Sequence, residues 1–379
     1  MPKNRINREH YILKSSRIVL KLGTKVLLNH YQDMHRERLH RLVQDIVDYR
    51  NRGVQFSIVT SGAVGFGMKI LGIEKRPTTL KKIQALASVG QSVLMERWTD
   101  LFKQYDIPVG QILLTYDIIE NRNRFLHARD CMKSLIDFGA IPIVNENDSV
   151  AVDELKFGDN DTLSALTANL MDADLLVLFT DTDGIYDKNP HHYQDARRIR
   201  FLDKIADDTF ALIEDKQDNY SIGGMASKLK AAQLSVSCGT GVVITDGNTP
   251  RLREILQGED FGTFIKPGKT YAKKRKKWIF FNQKIKGKIY VDDGAEEALV
   301  HHMKSLLPGG IVRTERNFLE GSIVGIFNQR DVMIGKGITY YSSSDIERIK
   351  GLRTDEVEEK IGEQFYTEII HRDNMIILH

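Results

Sequence analysis

The chain has 379 residues, 41% of them hydrophobic and 28% charged, an ordinary globular composition with length for about two or three domains and a substantial core. Its formal net charge of +3 is near balance, so bulk charge argues neither for nor against a polyanionic partner. Cys131 and Cys238, the two cysteines, form no CxxC and have no metal-ligand spacing, which fits a reducing, cytoplasmic compartment. The opening MPKNRINREHYILKSSR lacks the apolar run of a signal peptide. No uninterrupted apolar segment approaches the ~20 residues of a membrane span.

From residue 17 the chain alternates between two periods. RIVLKL, residues 17–22, reads as a short strand that ends at Gly23-Thr24, and Leu39, Leu42, Val43, Ile46 and Val47 then recur at helical spacing. Residues 54–60 form the next strand, ending at Ser61-Gly62-Ala63. Helix is expected over residues 80–105, strand over 107–115, helix over 121–139 and strand over 140–144. A loop rich in Asp, Asn and Glu, VNENDSVAVDELKFGDNDTLSA, follows. A helix at residues 162–171, a strand at 174–180, a helix from about Met225 and a strand at 241–245 complete the series. Repeated strand-then-helix with near-continuous apolar strands predicts a mostly parallel sheet covered on both faces.

The pattern changes near Lys266. KPGKTYAKKRKKW combines Pro, Gly and a Lys/Arg run as a linker would, and a solvated linker is favoured over a nucleic-acid patch. Beyond it, short strand-like segments are separated by turn signals at Asp293-Gly294, residues 308–310, Glu320-Gly321 and residues 335–337. This spacing predicts a small, mostly β second domain.

In an open α/β sheet, ligands bind beyond the carboxyl ends of the strands, and several strand ends carry unusual residues. Gly23 allows close backbone approach beside Lys21, a lysine inside an apolar strand, where lysines rarely lie unless paired. Ser61, Gly62 and the small residues to Gly67 form a turn opening a helix, whose backbone N–H groups suit an anion. Asp181-Thr-Asp-Gly184 follows another strand but lacks the acidic series of a calcium loop. Gly223-Gly224-Met225 introduces a helix carrying Lys228. The chain contains neither GxxxxGK[ST] nor GxGxxG. Taken singly, each glycine reads as an ordinary turn residue. Together, two lysines, anion-cradling turns and a carboxylate–amide cluster at one edge point to phosphoryl transfer involving a small molecule.

These residues resemble the glutamate 5-kinase family. The fragments are Lys21-Leu-Gly-Thr24, Val59-Thr-Ser-Gly-Ala63, Ala87-Ser-Val-Gly-Gln91, Val144-Asn-Glu-Asn-Asp-Ser-Val150, Gly158-Asp-Asn-Asp161 and Gly223-Gly-Met225, in the family's order. KKWIFF, SLLPGGI and HRDNM continue the likeness into its C-terminal PUA domain. The resemblance implies a three-layer α/β sandwich of the amino acid kinase fold at residues 17–265, a linker at 266–277 and a PUA domain at 278–379. It implies ATP- and Mg2+-dependent phosphorylation of the side-chain carboxylate of L-glutamate, the first step of proline synthesis, with the metal carried by ATP rather than by protein ligands. Lys21 and Lys228 match its phosphate-contacting lysines, and Asp161 the aspartate that holds them. Ser61, Gly62, Asp148 and Asn160 match glutamate-binding residues, with Asp148 for the ammonium and Asn160 for a carboxylate. Lys21, Gly23, Thr180, Asp181, Gly223, Gly224, Met225 and Lys228 match the nucleotide site. Feedback inhibition by proline, a homo-oligomer (dimer or tetramer) and functional pairing with glutamyl phosphate reductase are further implications.

The chain departs from the family at Ser221-Ile222, where Gly-Thr is usual, and at Lys25, where serine is common; Lys25 is expected to point to solvent. The residues before Arg17 are an extension of no evident purpose. Two other readings remain at this point. One is a sibling kinase acting on another amino acid or a carbamate. The other is an RNA-binding protein using its PUA domain and the basic run at residues 273–277, which would show steep salt dependence.

Overall fold

The structure is a computed structural model. It describes every residue except 1–2, 30, 32, 116–117, 119–120, 152–159, 189, 191, 207–208, 211–221, 269–278, 280–284, 354–355, 358–359, 361–365 and 379, and only the backbone of 3–7, 122 and 222–223. The basic run and Ser221 therefore lie outside the described residues, as do Gly158, Asp159 and the side chain of Ile222. The chain divides into two compact units, Met1–Thr270 and Tyr271–His379.

The first unit opens with helix α1 (Lys3–Leu13), then strand β1 (Arg17–Leu22), the short α2 (Thr24–Leu27) and α3 (Arg36–Arg50). Next come β2 (Gln55–Val59), α4 (Ala63–Ile70), α5 (Leu80–Lys103), β3 (Val109–Leu114), α6 (Arg122–Asp137) and β4 (Ile141–Glu146). α7 (Asn160–Leu170), β5 (Leu175–Thr180), β6 (Ile185–Tyr186), β7 (Arg198–Ile199) and β8 (Phe201–Leu202) follow. α8 (Ile222–Ser237), β9 (Gly241–Asp246), α9 (Leu252–Leu256) and β10 (Thr263–Ile265) close the unit.

Eight strands form one sheet in the order β3-β4-β2-β1-β5-β9-β10-β8. The six from β3 to β9 run parallel, and β10 lies antiparallel to β9. All six residues of β5 are buried, which is why this strand reads as an unbroken apolar run: both its faces are covered. From β1 the chain runs outward to β2, β3 and β4, then returns to place β5 on the other side of β1. Lys21 pairs in register with Val59 of β2 and Leu178 of β5, so it stands where the strand order reverses.

The α4–α5 packing explains two glycines. A Cβ on Gly67 would overlap the carbonyl oxygen of Leu86, and one on Gly90 would overlap that of Ala63. Gly67 thus serves helix–helix contact and not an anion cradle. Gly62, at φ 103°, occupies the left-handed region that favours glycine and turns β2 into α4.

The extension before Arg17 has a place in the fold. α1 buries Ile12, and the Tyr11 hydroxyl donates to the Asp174 carbonyl at 2.8 Å. Arg8 pairs with Asp260 at 2.9 Å and donates to the Phe261 carbonyl. The helix therefore ties the start of β5 to the turn before β10.

In the second unit, β11 (Gly287–Val291), β12 (Ile311–Glu315), β13 (Ile323–Phe327), β14 (Met333–Ile338) and β15 (Met375–Ile377) form a sheet in the order β12-β11-β13-β14-β15. With α10 (Asp293–Val300) and α11 (Ser343–Ile349) it encloses a core that includes Ile289, Val291, Leu299, Ile326 and Ile346. Two expected turns are corrected. Asp293-Gly294 opens α10, because the Asp292 carboxylate caps it by accepting from Ala295 N at 2.7 Å. Residues 335–337 lie within β14. A Cβ on Gly335 would crowd the Ile376 carbonyl at 2.6 Å, so these glycines mark close strand approach, not a turn.

Among the described residues no helix is long and apolar enough to cross a membrane.

Candidate active site

The sequence-selected residues converge at the carboxyl edge of the parallel strands. Lys21 is the penultimate residue of β1, and Gly23 follows the strand. Ser61 and Gly62 link β2 to α4, and Asp148 follows β4. Asn160 and Asp161 open α7. Thr180 ends β5, with Asp181 next, while Gly223, Gly224, Met225 and Lys228 occupy the first turns of α8.

At the centre, Asp161 is buried between two lysines. Its Oδ1 pairs with Lys21 Nζ, its Oδ2 lies 3.4 Å from Lys228 Nζ, and the Ser227 hydroxyl donates to Oδ2 at 2.9 Å. Burial alone would raise the Asp161 carboxyl. Lys21, and after it Lys228, outweigh burial and hold it below the ordinary carboxylate value. One carboxylate facing two ammonium groups leaves a local excess of one positive charge. The surrounding backbone makes room for an anion there: a Cβ on Gly23 would lie 3.6 Å from Lys21 Nζ, and one on Gly224 3.8 Å from Lys228 Nζ.

Beside this centre lies a cleft of about 610 Å3. Ser61, Gly62, Asp148 and Asn160 line it, together with Glu74 and Arg76 from the loop between α4 and α5. Its inner wall is a chain of amides. Asn160 Nδ2 faces three acceptors, Thr60 O at 2.6 Å, Ser61 Oγ at 2.8 Å and Asn145 Oδ1 at 3.0 Å. Asn145 in turn donates to Gln91 Oε1 at 2.8 Å, and the buried Trp98 indole donates to Thr60 Oγ1 at 3.2 Å. The amide donors of Asn160 are thereby committed within the protein.

Contributors without a role in the sequence reading include Arg76, Asn145, Gln91 and Ser227. Asn145 and Gln91 stand inside quoted motifs, so the motif itself was the available signal. Arg76 stands in Lys75-Arg-Pro77, which reads as an ordinary solvated loop until the fold turns it toward the cleft.

Lys25 is a partial correction. Its side chain is 81% exposed, as expected, yet its ammonium pairs with Asp181 Oδ2 at 3.0 Å. Burial pushes the Asp181 carboxyl up, and the Lys25 bond more than offsets this, holding it below the ordinary value.

Residues 16–246 match the amino acid kinase family and residues 287–361 the PUA domain. Proteins named glutamate 5-kinase align over almost the whole chain. That of Moorella thermoacetica is 42% identical over 96% of this chain and 97% of its own length. That of Geobacter sulfurreducens is 41% identical over 98% and 100%. The chain belongs to the amino acid kinase family, and within it to the glutamate 5-kinases. The glutamate 5-kinase of Caldanaerobacter subterraneus is likewise 41% identical, over 96% of this chain and 98% of its own. Among solved structures, the carbamate kinase of Giardia lamblia bound to AMP-PNP matches at 16% identity, over 68% of this chain and 100% of that one, with a TM-score of 0.49.

Among the described residues no group of three or more His, Cys, Asp or Glu could hold a metal ion. Asp161, committed to two lysines, is no open metal ligand. The lysines and glycines around it do fit a nucleotide's phosphates.

Proposed function

We propose that the protein transfers the γ-phosphoryl group of ATP to the side-chain carboxylate of L-glutamate, giving γ-glutamyl phosphate. The observation that carries this reading is the Lys21–Asp161–Lys228 cluster at the strand-order reversal, adjoining a polar cleft of about 610 Å3. The acceptor carboxylate is ionised at neutral pH and needs no general base. Catalysis then rests on in-line placement and on neutralising the charge of the moving group.

In this reading Lys21 and Lys228 contact the transferring phosphoryl group, and Asp161 keeps both ammonium groups at fixed positions. Gly23 and Gly224 let the phosphates approach them. Thr180, Asp181, Gly223 and Met225 border the nucleotide. Mg2+, carried by the nucleotide's own phosphates, supplies further charge neutralisation when bound. Asp148 receives the substrate ammonium, Ser61 and Gly62 border the acceptor, and Asn160 fixes Ser61 and Asn145 in place. A small zwitterion with an extra carboxylate needs convergent polar partners at fixed positions, which accounts for the density of carboxylates and amides after β4.

Proline, like glutamate, carries an α-carboxylate beside a cationic amine, here a secondary one, which supports feedback inhibition in the same cleft. A cytoplasmic homo-oligomer of two or four copies, working with a glutamyl phosphate reductase that consumes the labile acyl phosphate, completes the reading on family likeness.

The test is ATP- and magnesium-dependent hydroxamate formation from L-glutamate plus hydroxylamine, which traps the acyl phosphate. Aspartate and N-acetylglutamate serve as comparison acceptors. Hydroxamate from glutamate in large preference is expected. Its absence with folded protein and saturating ATP would reject the substrate, and preference for a comparison acceptor would reassign it.

A further inference from the structure

Among the described residues, the cleft is lined by one cation, Arg76, and three acids, Glu74, Glu146 and Asp148. An acceptor with two carboxylates and one ammonium carries net negative charge into this surface. If its γ-carboxylate meets the Lys21–Lys228 centre and its ammonium meets Asp148, the α-carboxylate still needs donors. Asn160 cannot supply them, since its Nδ2 already faces Thr60, Ser61 and Asn145. Asn145 Nδ2 is directed away, to Gln91. Among the described residues the remaining neutral donors are the Thr24 hydroxyl, the Ser61 hydroxyl, whose oxygen accepts from Asn160, and the backbone N–H groups opening α4.

Among the described residues lining the cleft, Arg76 is the cation that can answer this need. It is exposed on the α4–α5 loop, and among the described residues its guanidinium has no ion-pair partner. Glu74, two residues away, does not neutralise it. Pro77 follows, and a residue before proline is biased toward extended backbone, which limits the directions the side chain takes from the loop. A guanidinium offers a planar fork matched to a carboxylate, and a paired charge of this kind outweighs a neutral donor.

We infer that Arg76 binds the α-carboxylate of the acceptor and so selects a free α-amino acid over one whose α-carboxylate is blocked. The inference rests on the reading of the cleft as the glutamate site. Arg76 acts in recognition and not on the reacting atoms, so its loss falls on KM for the acceptor.

The probe pair is L-glutamate and L-isoglutamine, which keeps the ammonium and the γ-carboxylate but replaces the α-carboxylate by an amide. Hydroxamate kinetics and calorimetric binding are compared for wild type, Arg76→Lys and Arg76→Ala. Arg76→Ala is expected to raise KM for L-glutamate about 100-fold, with kcat and KM for ATP within about threefold of wild type. Arg76→Lys should recover part of the loss. Affinity for L-isoglutamine, already weak, should change less than about threefold, because the group that Arg76 reads is absent. An unchanged glutamate KM in Arg76→Ala overturns the inference, as does an equal loss for both ligands, or a loss confined to kcat. No hydroxamate from wild type and glutamate is a separate outcome, since it rejects the proposed reaction itself.

Discussion

The Lys228 ammonium lies 3.4 Å from Asp161 Oδ2 and 2.8 Å from the carbonyl oxygen of Gly224, one turn earlier in α8. It is thus held by two acceptors at the mouth of the site, while Lys21 occupies the other oxygen of the same carboxylate. Removing Lys228 leaves Asp161 still paired, so the fold should survive. Lys228→Ala is expected to lower kcat for hydroxamate formation by about 10²–10³, the scale of one lost electrostatic contact to a transition state. Circular dichroism and melting should stay near wild type. A kcat within tenfold of wild type would remove Lys228 from the chemistry.

Asp161 itself should behave differently. Asp161→Asn leaves two ammonium groups, mostly buried, without their shared carboxylate, a change of the kind that costs about 3–5 kcal/mol. The pH dependence follows from the sign of the shift. The folded carboxyl titrates below its unfolded value of about 3.9, so its contribution is fully present above that pH and is lost as pH falls through the lower, folded value. The stability gap between wild type and Asp161→Asn should therefore be flat from about pH 5 to 8 and close below about pH 4. Urea titrations across that range check it; a gap that widens on acidification would contradict the ion-pair account.

Much of the first unit was legible because its strands are buried on both faces and its helices carry one apolar stripe. Leu39, Leu42, Val43, Ile46 and Val47, read from spacing, are all buried in α3. What escaped was contact-dependent. α1 is polar by composition and gains its place through Arg8, Tyr11 and Ile12, whose partners lie more than 160 residues away in sequence for Arg8 and Tyr11. Glycine was ambiguous in the same way: in β14 it marks close strand approach, and only the neighbour reveals that. In the site, the motifs gave the lysines and the aspartate, whereas Arg76 depended on which way one loop faces.

The contact of α4 with α5 gives a second kind of test. Gly90→Ala would place a methyl on the Ala63 carbonyl, and backbone cannot yield as a side-chain tip does. The expected cost is about 3 kcal/mol, at the upper end of core overpacking. Because Ala63 follows Gly62 at the cleft wall, any protein that folds should also show a raised KM for glutamate. The same substitution at Gly72, which has no atom within 4 Å but a φ of +64°, should cost about 1 kcal/mol and leave KM alone. Melting and hydroxamate kinetics on both variants separate packing from local backbone strain. Equal melting losses would mean that the helices adjust freely.

Tyr11 offers a test of the extension. Burial pushes its hydroxyl up to about 12, more than offsetting the lowering contact with the Gly241 N–H, and the neutral phenol donates to the Asp174 carbonyl at 2.8 Å. A folded value above the unfolded one of about 10 means the contribution is complete below pH 10. It is lost as pH rises toward the folded value, because the unfolded chain releases its proton first. At pH 8, Tyr11→Phe should destabilise by about 1 kcal/mol, the net worth of one hydrogen bond. At pH 11 the two proteins should approach each other in stability, since phenylalanine carries no ionisable group to bury. The other tyrosines titrate in both proteins and cancel in the difference. Urea denaturation at the two pH values decides it: a gap that stays constant would mean that Tyr11 is exposed to solvent and that α1 does not hold the start of β5.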